Sequence, residues 1–160
     1  MSVKYTQINL EKVNNIANHV ANIITPKFTM VFNGELGVGK TTIIRNIIKN
    51  LGVYGNIKSP TYTLVESYKL KGLEIHHFDL YRFADKYEWV ESGFDEYFTK
   101  NSILFIEWPS KAHGLIPDIY WAINITMVDD ISRNFEIIAL SSKGRECLKK
   151  LINQLINKYI

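Results

Sequence analysis

The stretch Gly34-Glu35-Leu36-Gly37-Val38-Gly39-Lys40-Thr41 has the spacing Gly-x-x-x-x-Gly-Lys-Ser/Thr. That spacing answers the needs of phosphate binding. A phosphate chain requires many donors in a small space, and glycines at 34, 37 and 39 let the backbone turn tightly and aim its amides inward. A helix opening directly after the loop adds its free amides and the positive end of its dipole. Lys40 supplies a point charge for the β- and γ-phosphates, and the Thr41 hydroxyl is placed to ligate magnesium. The binding set is expected to run from Gly34 through Thr42, with Glu35, Leu36 and Val38 between the glycines. These residues predict that the chain binds ATP with Mg2+ and hydrolyses the γ-phosphate.

Such a loop does not complete a magnesium site. That takes a carboxylate at the C-terminal end of a neighbouring buried strand. Ser102-Ile103-Leu104-Phe105-Ile106-Glu107 is an apolar run ending in an acid, so Glu107 is the expected metal partner of Thr41. Asp79 ends a second run, Glu74-Ile75-His76-His77-Phe78, again at a strand terminus, where open α/β sheets place their ligands. It could orient the attacking water, hold a magnesium-bound water, or simply cap the turn before Leu80-Tyr81-Arg82. Lys40, Asp79 and Glu107 are therefore the expected catalytic set. His76 and His77 are adjacent and would point to opposite faces of a strand, so they cannot share a metal and read as structural. Ser59-Pro60 forces an extended turn. The hydroxyls of Thr61, Tyr62 and Thr63 after it could reach a γ-phosphate or its metal, or could be ordinary polar residues leading into a strand.

The elements that would position these groups follow from periodicity. The residues from 6 to 24 read as a strand end, a cap at Asn9 and a helix with Leu10, Val13, Ile16, Ala17, Val20, Ala21 and Ile24 on one face. Phe28-Thr29-Met30-Val31-Phe32 has the composition of a buried parallel strand running into the glycine loop. A helix follows from Thr41 to Leu51, stopped by Gly52. Residues 63–68 and 73–78 form a hairpin around Lys71-Gly72, and 86–98 reads as one helix. Residues 119–128 and 135–140 form a second hairpin around Asp129-Asp130. Lys143 to Ile160 is an amphipathic helix with Leu148, Leu151, Ile152, Leu155 and Ile156 inward. The expected class is α/β: a P-loop NTPase-like mixed sheet, parallel at its core with antiparallel hairpins, flanked by helices. At 160 residues the chain is expected to be a single domain, 1–160.

Composition narrows the function classes. The net charge of +3 is weak for a nucleic-acid-binding surface, and Lys143, Arg145, Lys149, Lys150 and Lys158 read as a solvated helix face. A single cysteine, Cys147, allows no disulfide within the chain and suits a reducing compartment. The first residues lack an apolar signal core and no run approaches a membrane span, so a cytoplasmic protein without membrane contact is expected. Guanine selection normally uses an Asn-Lys-x-Asp loop; the Asn157-Lys158 pair lies in the terminal helix, which favours adenine.

Further segments narrow the reading. Lys58-Ser59-Pro60-Thr61-Tyr62-Thr63-Leu64-Val65-Glu66, then His77-Phe78-Asp79-Leu80-Tyr81-Arg82, then Glu107-Trp108-Pro109 follow the glycine loop in this order. Together they resemble the bacterial TsaE (YjeE) family, over a likeness running from about Asn9 to Leu140. The resemblance implies a small P-loop ATPase acting in tRNA modification with the TsaD and TsaB proteins, which place threonylcarbamoyl on the adenosine beside the anticodon; tRNA would be met indirectly, through the complex. It implies that Thr41 and Glu107 hold magnesium and Asp79 serves hydrolysis. It also implies that the segment containing Ser59, Thr61, Tyr62 and Thr63 senses the γ-phosphate and partners, that Trp108 lies near the site, and that Arg133 sits by the base. Ser67-Tyr68 departs from the family, which often has proline there. Two other readings use the same parts: a small-molecule P-loop kinase, and a binding module whose nucleotide only changes its shape.

Overall fold

A computed structural model describes residues 1–157; the stretch 158–160 of the expected terminal helix, with Lys158 of the basic cluster, lies outside the described residues. Strands β1 (Ser2–Ile8), β2 (Phe28–Asn33), β3 (Val65–Leu70), β4 (Leu73–Asp79), β5 (Ser102–Glu107), β6 (Ile119–Met127) and β7 (Arg133–Ala139) form one sheet in the order β1-β7-β6-β2-β5-β4-β3. The four inner strands β6, β2, β5 and β4 are mutually parallel. Antiparallel pairs close both sides, β3 with β4 and β6-β7-β1. The expected mixed sheet is thus observed.

The inner strands are covered on both faces, which is why they read as continuous apolar runs rather than alternating ones. Met30, Phe32, Ile103 and Phe105 face α1 (Leu10–Ile23), α2 (Lys40–Asn50) and α4 (Ser142–Asn157). Val31, Leu104, Ile106 and Phe78 face a second core built on Leu80, Phe83, Trp89 and Phe94. Asn9 caps α1 as expected, its side chain accepting from the Lys12 amide at 3.0 Å.

Four local expectations need correction. The helix expected over 86–98 is α3 (Tyr87–Glu91) followed by a separate 3-10 turn, Phe94–Tyr97, because Gly93 lies between them with φ +66°, outside helical space. Leu10 and Ile156 are exposed, at 58% and 53%, rather than inward; each lies at a helix end. The chain also begins with a full edge strand, β1, whose partner β7 is distant in sequence.

Candidate functional site

Parallel register brings the chemistry to one edge. Phe32 on β2 pairs with Glu107 on β5, and Glu107 with Asp79 on β4, so all three strands end level at the mouth of the loop between β2 and α2. Gly34 is required where it stands: a Cβ there would lie 2.7 Å from the Ile125 carbonyl oxygen and 2.8 Å from a Val38 methyl. Gly39 caps α2 with φ +107°, a conformation that L side chains rarely adopt.

Lys40 is only 4% exposed, and its ammonium donates to the carbonyls of Gly34 at 2.6 Å and Glu35 at 2.8 Å. The Trp108 ring centroid lies 4.0 Å from it. Burial pushes the Lys40 pKa down, while the carboxylates of Glu107 and Asp79 work in the opposite direction. Trp108 takes φ +57°, a rare conformation for a bulky residue and rarer before proline, and it is this that brings the indole to the cleft.

The Thr41 hydroxyl donates to Glu107 Oε1 at 2.8 Å. The same oxygen accepts from His77 Nε2, also at 2.8 Å, and Glu107 and His77 are both buried. A carboxylate only accepts, so the His77 proton sits on Nε2. Asp79 Oδ1 accepts from the Tyr81 amide at 3.0 Å, the turn geometry foreseen as one alternative, while Oδ2 takes the Thr61 hydroxyl at 3.3 Å and faces the cleft.

A cleft of about 300 Å³ brings together Leu36, Gly37, Gly39, Lys40, Thr41, Thr42, Thr61, Asp79, Glu107 and Trp108, with Tyr81 and Arg82 added to the expected residues. Gly34 and Glu35 lie beneath the lysine. Ser59 bonds the Thr61 hydroxyl at 2.8 Å. Thr63 turns instead to Glu66 at 2.9 Å, and Tyr62 is 81% exposed with Arg82 over its ring. Tyr68 ties the Lys58 amide to β3 with its hydroxyl at 3.0 Å.

Val38 and Arg133 line a second hollow, of about 530 Å³, sharing Gly37, Gly39 and Thr42 with the first. Arg133 donates to the Val38 carbonyl at 3.1 Å and to the carbonyls of Asp129 and Ser132, pinning the loop to the β6–β7 turn. The apolar wall of this hollow is Leu10, Val13, Ile43 and Ile131. Sequence reasoning missed two contributors. Periodicity places Leu10 on the apolar face of its helix, and its position in the first turn is the signal that sets it apart from the core. His77 reads as structural from the sequence; a period of two puts it on the face of Asp79, and only the β4–β5 register places it against Glu107.

The donor set fits a magnesium ion held jointly with phosphate. Among the described residues no three His, Cys, Asp or Glu side chains converge as a metal cage. Thr41 and Glu107 are the side chains that would hold the magnesium, with phosphate and water supplying the remaining oxygens, the usual division for this ion. Among the described residues no helix is long and apolar enough to cross a membrane.

Fold and site together define a mixed α/β protein built on a strand, glycine-rich loop and helix, with strand-end carboxylates opposite the loop. The family model for "Threonylcarbamoyl adenosine biosynthesis protein TsaE" matches residues 8–135. The tRNA threonylcarbamoyladenosine biosynthesis protein TsaE of Haemophilus influenzae is 45% identical over 130 residues, covering 81% of this chain and 82% of that one. The protein of the same name from Rickettsia felis is 37% identical over 137 residues, 85% and 80% of the two chains. The crystal structure of Bacillus subtilis YdiB superposes with a TM-score of 0.81 over 96% of both chains at 24% identity, a likeness of fold. This chain belongs to the TsaE family, and its place is in the biosynthesis of tRNA threonylcarbamoyladenosine.

Proposed function

We propose that this chain binds Mg-ATP in the cleft, hydrolyses it slowly, and so supports tRNA threonylcarbamoyladenosine formation together with TsaD and TsaB. The observation that carries this reading is the Thr41–Glu107 hydrogen bond of 2.8 Å, which joins the head of the loop's helix to the buried strand-end carboxylate.

The residues divide the work. The amides of Gly34 to Thr42 and the head of α2 cradle the phosphates, and Arg133 and Val38 border the hollow suited to the base. Lys40, braced from below by the Gly34 and Glu35 carbonyls, presents its charge to the β- and γ-phosphates. Thr41 and Glu107 hold magnesium, with His77 fixing the carboxylate from behind. A magnesium ion held there would supply positive charge against the negative charge of the phosphates. Asp79, locked through Oδ1, offers Oδ2 to orient the attacking water. The loop bearing Ser59, Thr61, Tyr62 and Thr63 borders the γ-phosphate end and is exposed at Tyr62, as a partner-sensing segment requires.

The test is nucleotide-dependent stability. Mg-ADP at a hundredfold excess over its Kd should stabilise the fold by about 2.7 kcal/mol, and Lys40→Ala should remove most of that gain. An unchanged melting temperature at saturating nucleotide would refute the assignment.

A further inference from the structure

We propose that Arg82 is a catalytic residue of this site, its guanidinium reaching the transferring γ-phosphoryl group, and that Tyr62 is the residue that positions it. The proposal rests on the reading of the cleft as a Mg-ATP-hydrolysing site.

Arg82 lines the same cleft as Lys40, Asp79 and Glu107. Its backbone is firmly placed. Leu80 and Phe83 on either side are buried, the Phe83 amide closes the turn onto the Leu80 carbonyl at 2.9 Å, and the Tyr81 amide bonds Asp79. Its side chain, by contrast, makes no ion pair among the described residues. The guanidinium carbon instead lies 4.3 Å from the centroid of the Tyr62 ring. A ring face holds a guanidinium without occupying its N–H donors, which stay free for a planar anionic acceptor. Tyr62 is itself pinned from both sides, by Thr61 on Asp79 and by Thr63 on Glu66. An arginine fixed at its backbone, stacked at its head and unpaired in charge is arranged to receive an anion.

The charge balance calls for one. Lys40 and Arg82 offset Asp79 and Glu107, so a triphosphate brings excess negative charge even with a divalent ion. In the transfer, a lone pair of the water oxygen forms the new bond to the γ-phosphorus. The bond from that phosphorus to the β,γ-bridging oxygen breaks, its electron pair staying on ADP. The water proton passes by way of Asp79 to solvent or phosphate, giving ADP, inorganic phosphate and a proton. Charge spreads over the equatorial γ-oxygens and the bridging oxygen at the transition state, and donors free at Arg82 meet it there.

The experiment compares wild type with Arg82→Ala, Arg82→Lys, Tyr62→Phe and Tyr62→Ala in full-length chain, reading kcat, Mg-ADP affinity and affinity for Mg-ADP with aluminium fluoride, a mimic of the transferring phosphoryl group. Arg82→Ala should lower kcat by about 10³-fold, the low end for an arginine in this role, and weaken the aluminium fluoride complex in parallel, with Mg-ADP affinity kept within about threefold. Arg82→Lys, lacking the planar fork, should recover little. Tyr62→Phe should match wild type and Tyr62→Ala should lose kcat at unchanged Mg-ADP affinity, a pattern that mere unfolding would not produce. Wild-type kcat and wild-type aluminium fluoride affinity in a folded Arg82→Ala would overturn the proposal while leaving the ATPase reading intact. A wild-type chain that binds no Mg-ADP would overturn both.

Discussion

Replacing Glu107 separates its structural role from its proposed metal role. Its Oε1 accepts from the fully buried His77 Nε2 and from the partly exposed Thr41 hydroxyl. Glu107→Ala strands the His77 donor in the core, a loss of about 1–3 kcal/mol, while the Thr41 hydroxyl can turn to water. Glu107→Gln keeps an oxygen in place for both donors and should cost under about 1 kcal/mol of stability. Metal binding should rank differently. At about 4 Å and an effective dielectric of 20, a unit charge interacts by about 4 kcal/mol per opposing charge, so losing even a third of one such interaction weakens Mg2+ by about tenfold. Urea unfolding of the nucleotide-free chains, with Mn2+ titrated into the ADP complexes as a spectroscopic stand-in for Mg2+, reads both. The expected pattern is Glu107→Gln close to wild type in stability and to Glu107→Ala in metal affinity. A glutamine variant that binds metal as tightly as wild type would refute the metal role; one as unstable as the alanine variant would refute the hydrogen-bond account of the carboxylate's placement.

Gly34→Ala should destabilise the fold by about 1–3 kcal/mol, because its Cβ meets backbone at Ile125 and cannot be relieved by a side-chain rotation; an unchanged urea midpoint would contradict the close approach. His76 is buried, and burial lowers its pKa below the ordinary 6.5 against the pull of Glu74. The unfolded chain then takes up this proton more readily, so His76 costs stability as pH falls below about 6.5. The loss in wild type between pH 7.5 and 5.5 should exceed that in His76→Gln; parallel losses would remove His76 as the cause.

How much of this was legible in the sequence depends on the range of the interaction. The glycine loop, its flanking β2 and α2, and the carboxylates ending β4 and β5 are local patterns: fully buried parallel strands leave unbroken apolar runs, and their ends are marked by the acid. The placement of His77 against Glu107, of Arg82 on Tyr62 and of Trp108 over Lys40 depends on cross-strand register and on turns that bring distant segments together. The break at Gly93 shows the limit of a sequence reading: Trp89 and Phe94 on either side of it are buried in the same core, and the left-handed backbone of Gly93 divides the helix expected over 86–98.

Hydrolysis of ATP in this cleft, under the control of partners, is the central claim. Phosphate release from Mg-ATP should be measured for wild type and Asp79→Asn, alone and with cognate TsaD and TsaB. Release should be slow for the chain alone, rise when the TsaD–TsaB pair is added, and fall by about 100-fold in Asp79→Asn with nucleotide binding retained. Wild type and Asp79→Asn releasing phosphate at one common rate, unmoved by the pair, would contradict it.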